Sequence, residues 1–259
     1  MLRIAGLVWR TLKGYKPVMT GYRLLSTTAA IAILASGCAA QPMMRGGTAP
    51  SANPSAIIAA EIAFNRLAQE KGFRAAQEET GAKDAVVFVP QPTLLADALK
   101  LNEGPEVTPK WQPHKAYMSC DGRTGVTTGA WQLPDGKTGY FTTVWQWQAK
   151  GKLPKYAPPS FLGKGEWKWV LDHGDALPAP LPAPEMIETR IASCKGQPNA
   201  PISAPPEGAK MKMGLSIDQS LNYTWIVMPD GQRTLIVRLW NGSDFDTVIA
   251  NKVAAAPNG

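Results

Sequence analysis

The hydrophobic pattern of the chain changes period twice. Positions 24–37 are apolar or small without interruption. At 55–71, Ile58, Ile62, Phe64 and Leu67 recur near helical spacing behind Ser55, a suitable N-cap, and predict a helix. Gly72 interrupts that stripe, and 73–80 follows as a second short helix ended by Gly81. A β-branched and aromatic run at 85–89 stops at Pro90 and reads as a strand, and 93–100 reads as a third short helix. Strand-like segments then recur at 115–120, 125–132, 139–148 and 166–172. Asp121-Gly122 and Pro134-Asp135-Gly136 supply turns between them, so an antiparallel meander is expected. A further helix is expected at 185–192, just before Cys194. Three last strands, 221–228, 233–240 and 245–250, are joined by Pro229-Asp230-Gly231-Gln232 and Asn241-Gly242. Tyr223, Trp225 and Val227 alternate there with polar or smaller residues, so one face is buried.

This order of elements gives an α+β fold, with N-terminal helices packed on a curved antiparallel sheet over 54–177. A three-stranded meander over 211–252 is marginal alone and is expected to dock on that body. The proline-rich stretch 178–210 is a stiff connector. Residues 38–53, rich in Ala, Gly, Pro and Ser, read as a flexible tether. Residues 149–165 are long for a hairpin connection and read as a surface loop. Trp145 and Trp147 share one strand face, and Trp167 and Trp169 share a face of the next. Such paired indoles read first as a sheet face packed on helices and, as the sharper alternative, as an aromatic wall of a ligand pocket, which is usually an extension of the core.

Charge changes the picture less than it first suggests. The formal net charge is +7, from 27 basic and 20 acidic residues. Arg3, Arg10, Lys13, Lys16 and Arg23 all precede Cys38, and no acidic residue does. Without those five, 22 basic residues face 20 acidic ones, a balance of +2. No basic face remains to suggest a nucleic-acid partner. The basic flank followed by 14 apolar or small residues is too short to span a hydrocarbon core about 30 Å thick. It fits a signal peptide over 1–37, and Met19 offers an alternative start.

Leu34-Ala35-Ser36-Gly37-Cys38 resembles the bacterial lipobox, although Ala35 stands where Leu is commoner. The resemblance implies lipid on Cys38 and anchorage to a membrane. With Ala39 next, it implies the periplasmic face of the outer membrane of the cell envelope. The alternative is an ordinary signal peptide with a chance cysteine. Cys120 and Cys194 then remain as an even pair in an oxidising compartment, either bridged or two buried thiols. Cysteines and histidines are too sparse for a zinc site, and no motif calls for a cofactor.

Several segments carry a second resemblance. They are Trp111-Gln112-Pro113-His114, Met118-Ser119-Cys120-Asp121-Gly122, Val126-Thr127-Thr128-Gly129-Ala130-Trp131, Gly139-Tyr140-Phe141-Thr142-Thr143-Val144-Trp145, and the run from Trp167 through Asp172-His173-Gly174-Asp175. Together they resemble a bacterial exported group of the nuclear transport factor 2-like superfamily, over roughly residues 55–177. The resemblance implies a cone-shaped α+β domain with an interior pocket. The superfamily includes isomerases, dehydratases and cyclases as well as non-catalytic domains, so the fold brings no chemistry with it.

The candidate pocket or catalytic residues are His114, Tyr117, Trp131, Trp145, Trp169, Asp172 and His173. A proton-transfer site would use Asp172 or His173 as base and Tyr117 or His114 as donor. Adjacent strand residues point to opposite faces, so Asp172 and His173 cannot both enter one pocket from a regular strand. The leading expectation is a non-catalytic domain binding a small apolar ligand or a protein partner. The alternative is a cofactor-free isomerase or dehydratase.

Overall fold

The computed structural model of the chain describes residues 52–101, 107–151, 164–201 and 204–255. Cys38, the leader, nearly all of the tether and most of the 149–165 loop lie outside them. The first helix, α1 (Pro54–Lys71), starts where Asn53, rather than Ser55, caps it: the Asn53 side chain accepts from the Ser55 N–H at 3.1 Å. Pro54 fits the first turn because its missing N–H would have no helical partner. Helix α2 (Phe73–Thr80) follows after Gly72, whose φ of 95° suits glycine. Strand β1 (Gly81–Phe88), the short β2 (Pro92–Leu94) and helix α3 (Leu95–Leu101) complete the N-terminal part. The predicted third helix thus starts later, because Pro92–Leu94 folds back on β1 as a strand.

Four long strands form the first meander: β3 (Lys110–Met118), β4 (Thr124–Gln132), β5 (Thr138–Ala149) and β6 (Gly165–Leu177). Then come β7 (Glu188–Ile191), β8 (Lys210–Leu215), β9 (Leu221–Val227), β10 (Arg233–Trp240) and β11 (Phe245–Val253). The first sheet runs β2-β1-β6-β5-β4-β3-β7 and the second β11-β10-β9-β8. The first is mixed rather than wholly antiparallel, since β1 lies parallel to β6 and β7 parallel to β3. The helix expected at 185–192 is replaced by β7. The open edge of β3 offers unpaired backbone groups, and β-branched Thr189 and Ile191 extend to meet it, with Lys115 and Glu188 paired at 2.9 Å. The C-terminal meander has four strands, not three, because β8 pairs with β9.

The helices cover one face of the first sheet and the second sheet covers the other. On the helical side Ile57, Phe64, Ala68, Ala76, Trp111, Met118, Trp145 and Trp169 make one buried cluster. On the other side Tyr117, Val126, Val144 and Leu171 meet Leu221, Tyr223, Trp225, Leu235, Val237 and Leu239 in a second. Gly125 lets α1 approach, since a Cβ there would lie 2.5 Å from Ile57 Cδ1. The buried stripe of α1 is Ile57, Glu61, Phe64 and Ala68, one position out of phase with the expected Ile58–Ile62 face; Ile62 is 53% exposed.

The two meanders share their turns. Between β3 and β4, Ser119 Oγ donates to Asp121 Oδ1, which also accepts the Arg123 N–H. Between β8 and β9, Ser216 Oγ donates to Asp218 Oδ1, which accepts the Ser220 N–H. These turns clasp each other. The Asp121 N–H donates to Asp218 Oδ2 at 2.8 Å, and the Asp218 N–H donates to Asp121 Oδ2 at 3.3 Å. Beside the clasp, Cys120 and Cys194 are joined as a disulfide. The next turn repeats as well: Leu133 N–H to Lys137 O and Met228 N–H to Gln232 O both span 2.8 Å, with Gly136 and Gly231 at φ 87° and 88°.

Candidate functional site

Beneath α1 and α2, the helical face of the first sheet leaves a cavity of about 190 Å³. Phe64, Phe73, Trp111, Trp131, Leu133 and Phe141 supply its apolar wall, and Glu61, Thr143 and Asp172 its polar groups. Trp131 borders the cavity by lying over Gly139, where a Cβ would meet its ring at 2.2 Å. Its indole N–H donates to Tyr140 O at 3.0 Å, which fixes the ring.

Glu61 projects from the middle of α1 into this face and is wholly buried. Its Oε1 accepts the Trp111 indole N–H at 2.6 Å; its Oε2 accepts the Trp145 indole N–H at 3.0 Å and the Thr127 hydroxyl. Burial raises its pKa, the three donors pull it back, and the nearby Asp172 raises it again, to about 7 overall. Indoles can only donate, so the arrangement is built to receive a carboxylate. Asp172 sits on β6 opposite Thr143 of β5, whose hydroxyl donates to Asp172 Oδ1 at 3.3 Å. Burial pushes its carboxyl up to about 6, against the hydrogen bonds from Thr143 and the His173 backbone. Unlike Glu61, Asp172 keeps partial exposure toward the cavity.

The candidates taken from sequence divide sharply. Trp131 and Asp172 border the cavity. Trp145 supports it from behind through Glu61, and Trp169 is held in the helical cluster, its indole N–H donating to Thr80 Oγ1 at 3.0 Å. Tyr117 is removed from the site: it faces the second sheet, where burial raises its pKa. His114 is also removed, lying by Gln112 in the middle of β3 and bordering a separate surface depression with Pro180 and Leu181. Burial lowers its pKa. His173 borders the cavity, yet its ring packs against Phe88 and Tyr140 with centroids at 5.3 and 6.2 Å. Both its ring nitrogens are buried without a hydrogen-bond partner among the described residues. Burial, then the Arg233 charge, lowers its pKa to about 3, so it is neutral and poorly placed as a base. The alternation expectation, that Asp172 and His173 would not share a pocket, does not hold: both border the cavity, and they differ in that Asp172 keeps partial exposure whereas the His173 ring nitrogens are buried.

Glu61 was missed from sequence because an acidic residue in a helix is ordinarily assigned to the solvated face. The signal was present: Ile57, Phe64 and Ala68 define a regular stripe on which Glu61 falls. Among the described residues, no group of three or more His, Cys, Asp or Glu is placed to hold a metal ion, and no helix is long and apolar enough to cross a membrane. No family model, curated protein or solved structure matches the chain.

Proposed function

We propose that the chain is a lipid-anchored protein of the bacterial envelope whose α+β domain is a nuclear transport factor 2-like cone binding a small ligand. The observation that carries the binding reading is the cavity itself: aromatic on most sides, with the partly exposed Asp172 in its wall and a second carboxylate, Glu61, held by three donors. A mostly apolar concavity with a few fixed polar groups is the usual form of a small-molecule site. At about 190 Å³ it suits a ligand smaller than the drug-sized molecules taken by clefts of roughly 300–1,000 Å³. Native mass spectrometry of the chain released gently from membranes tests this. A bound small molecule is expected in the wild type and absent after Leu133→Trp, which narrows the partly exposed wall; identical spectra of bare protein would sink the binding reading.

One observation favours proton transfer as the second reading. Asp172 is a carboxylate with a raised pKa in an apolar cavity, the condition of a general base near neutral pH. The donors expected for it, Tyr117 and His114, stand elsewhere, so binding is the better-supported function. The anchor is tested separately: Cys38→Ser should release the protein from membranes and remove the acyl mass. Unchanged partition and mass would overturn the anchor.

A further inference from the structure

We infer that the cavity is selective for a small organic cation, an amine or quaternary ammonium carrying an apolar group. This rests on the reading of the cavity as a ligand site and names its ligand class. The argument is an inventory of what the walls can still offer. Neither indole N–H is available: Trp111 donates to Glu61 and Trp131 to Tyr140 O. The Thr143 hydroxyl is committed to Asp172. The Tyr140 hydroxyl and both nitrogens of His173 are fully buried, out of a ligand's reach. No Lys or Arg lies among the lining residues. A ligand rich in acceptors, or an anion, therefore meets no free side-chain donor among the described residues.

What remains is the opposite complement. Among the described residues, the Asp172 carboxylate accepts from one side chain, Thr143, and Asp172 is partly exposed in the cavity wall. Glu61 adds a second acidic group whose own oxygens are occupied, so it contributes field rather than a contact. Among the described residues neither carboxyl group has a basic partner, and two such groups in a desolvated site repel each other and favour any cation that enters. Phe64, Phe73, Trp111, Trp131 and Phe141 surround that position with aromatic rings, whose faces attract cations. With its N–H committed, each indole offers a ligand only its π-system. Acceptor oxygens and aromatic rings, without free donors, are the chemistry that recognises an alkylammonium.

The test compares three probes of one shape on the full-length chain by calorimetric titration at pH 8: benzylammonium, benzyl alcohol and benzoate. Benzylammonium is expected to bind at least about tenfold more tightly than benzyl alcohol, the range of a desolvated cation–π contact plus one ion pair, with benzoate weakest. Asp172→Asn should bring the cation down to the level of the alcohol. Leu133→Trp should weaken both. Equal wild-type affinities for cation and alcohol, each lost in Leu133→Trp, would overturn the cation preference and leave the cavity reading standing. Preference for benzoate, or benzylammonium binding indifferent to both substitutions, would overturn the inference as well. So would failure of all three probes, whereas the cavity reading is judged by the ligand that native mass spectrometry recovers. The wild-type comparison alone decides the matter if Asp172→Asn does not fold.

Discussion

The meander β3–β6 and the meander β8–β11 are built with the same devices and put to different uses. Each opens with a Ser-x-Asp turn, continues through a Pro-Asp-Gly turn, and places a tryptophan, Trp145 or Trp240, the same distance beyond that proline. Their outcomes diverge with what covers them. The second meander meets a sheet, and its Leu221, Leu235, Val237 and Leu239 are fully buried against side chains of the first. The inner face of the first meander meets helices instead. Two helices bridge its breadth without filling it, and the space left admits Glu61 and Asp172. Even the tryptophans part ways. Trp145 donates its N–H to the Glu61 carboxylate, whereas Trp240 donates to the Lys195 carbonyl at 2.6 Å. The lesson is that hairpin chemistry fixes the meander, but its cover decides whether it becomes a solid wall or a site.

The largest expected effect comes from cutting the covalent tie beside the two meanders. Replacing Cys120 and Cys194 by serine, 74 residues apart, should cost about 4 kcal/mol in the chain-entropy view of a disulfide. Urea unfolding would measure it. A loss near zero would mean that the clasp of Asp121 and Asp218 alone holds the turns together.

Next in size is a pH response of opposite sign at Glu61 and at His173. Glu61 holds its proton more tightly folded (about 7) than unfolded (4.5), so its contribution is present at low pH and is lost as pH rises through that window. Full loss amounts to about 3 kcal/mol. His173, lowered from 6.5 to about 3, behaves inversely: its contribution is complete above 6.5 and fades as pH falls. Between pH 5 and 6.5 the two slopes oppose. Melting temperatures of Glu61→Gln should therefore rise more steeply with pH than those of the wild type, and those of His173→Phe should fall. Asp172, raised to about 6, adds a slope of the same sign as Glu61 and persists in both variants, so parallel curves for both would break the assignment of the opposing slopes to Glu61 and His173.

The smallest effect belongs to the clasp. Asp121→Ala removes an acceptor for the N–H groups of Arg123 and Asp218, and Asp218→Ala removes the reciprocal one. Each should cost about 1–3 kcal/mol. A double-mutant cycle should show coupling between them; strict additivity would show that the two turns stand independently.

Local chemistry in the sequence was enough to place most elements. The Pro-Asp-Gly and Asn-Gly turns, the alternation of Tyr223, Trp225 and Val227, and Gly72 between two helices all act within a few residues of where they are read. It was not enough to choose between Asp172 and His173, because both border the cavity and only the packing buries the His173 nitrogens while leaving Asp172 partly exposed. The failures share a cause. Strand β7 exists because the edge of β3 needed a partner, and β8 because β9 did. Glu61 is stable in the interior because Trp111, Thr127 and Trp145, 50, 66 and 84 residues away, converge on it. A buried charge is tolerated only where donors gather around it, and only the tertiary fold brings those donors together.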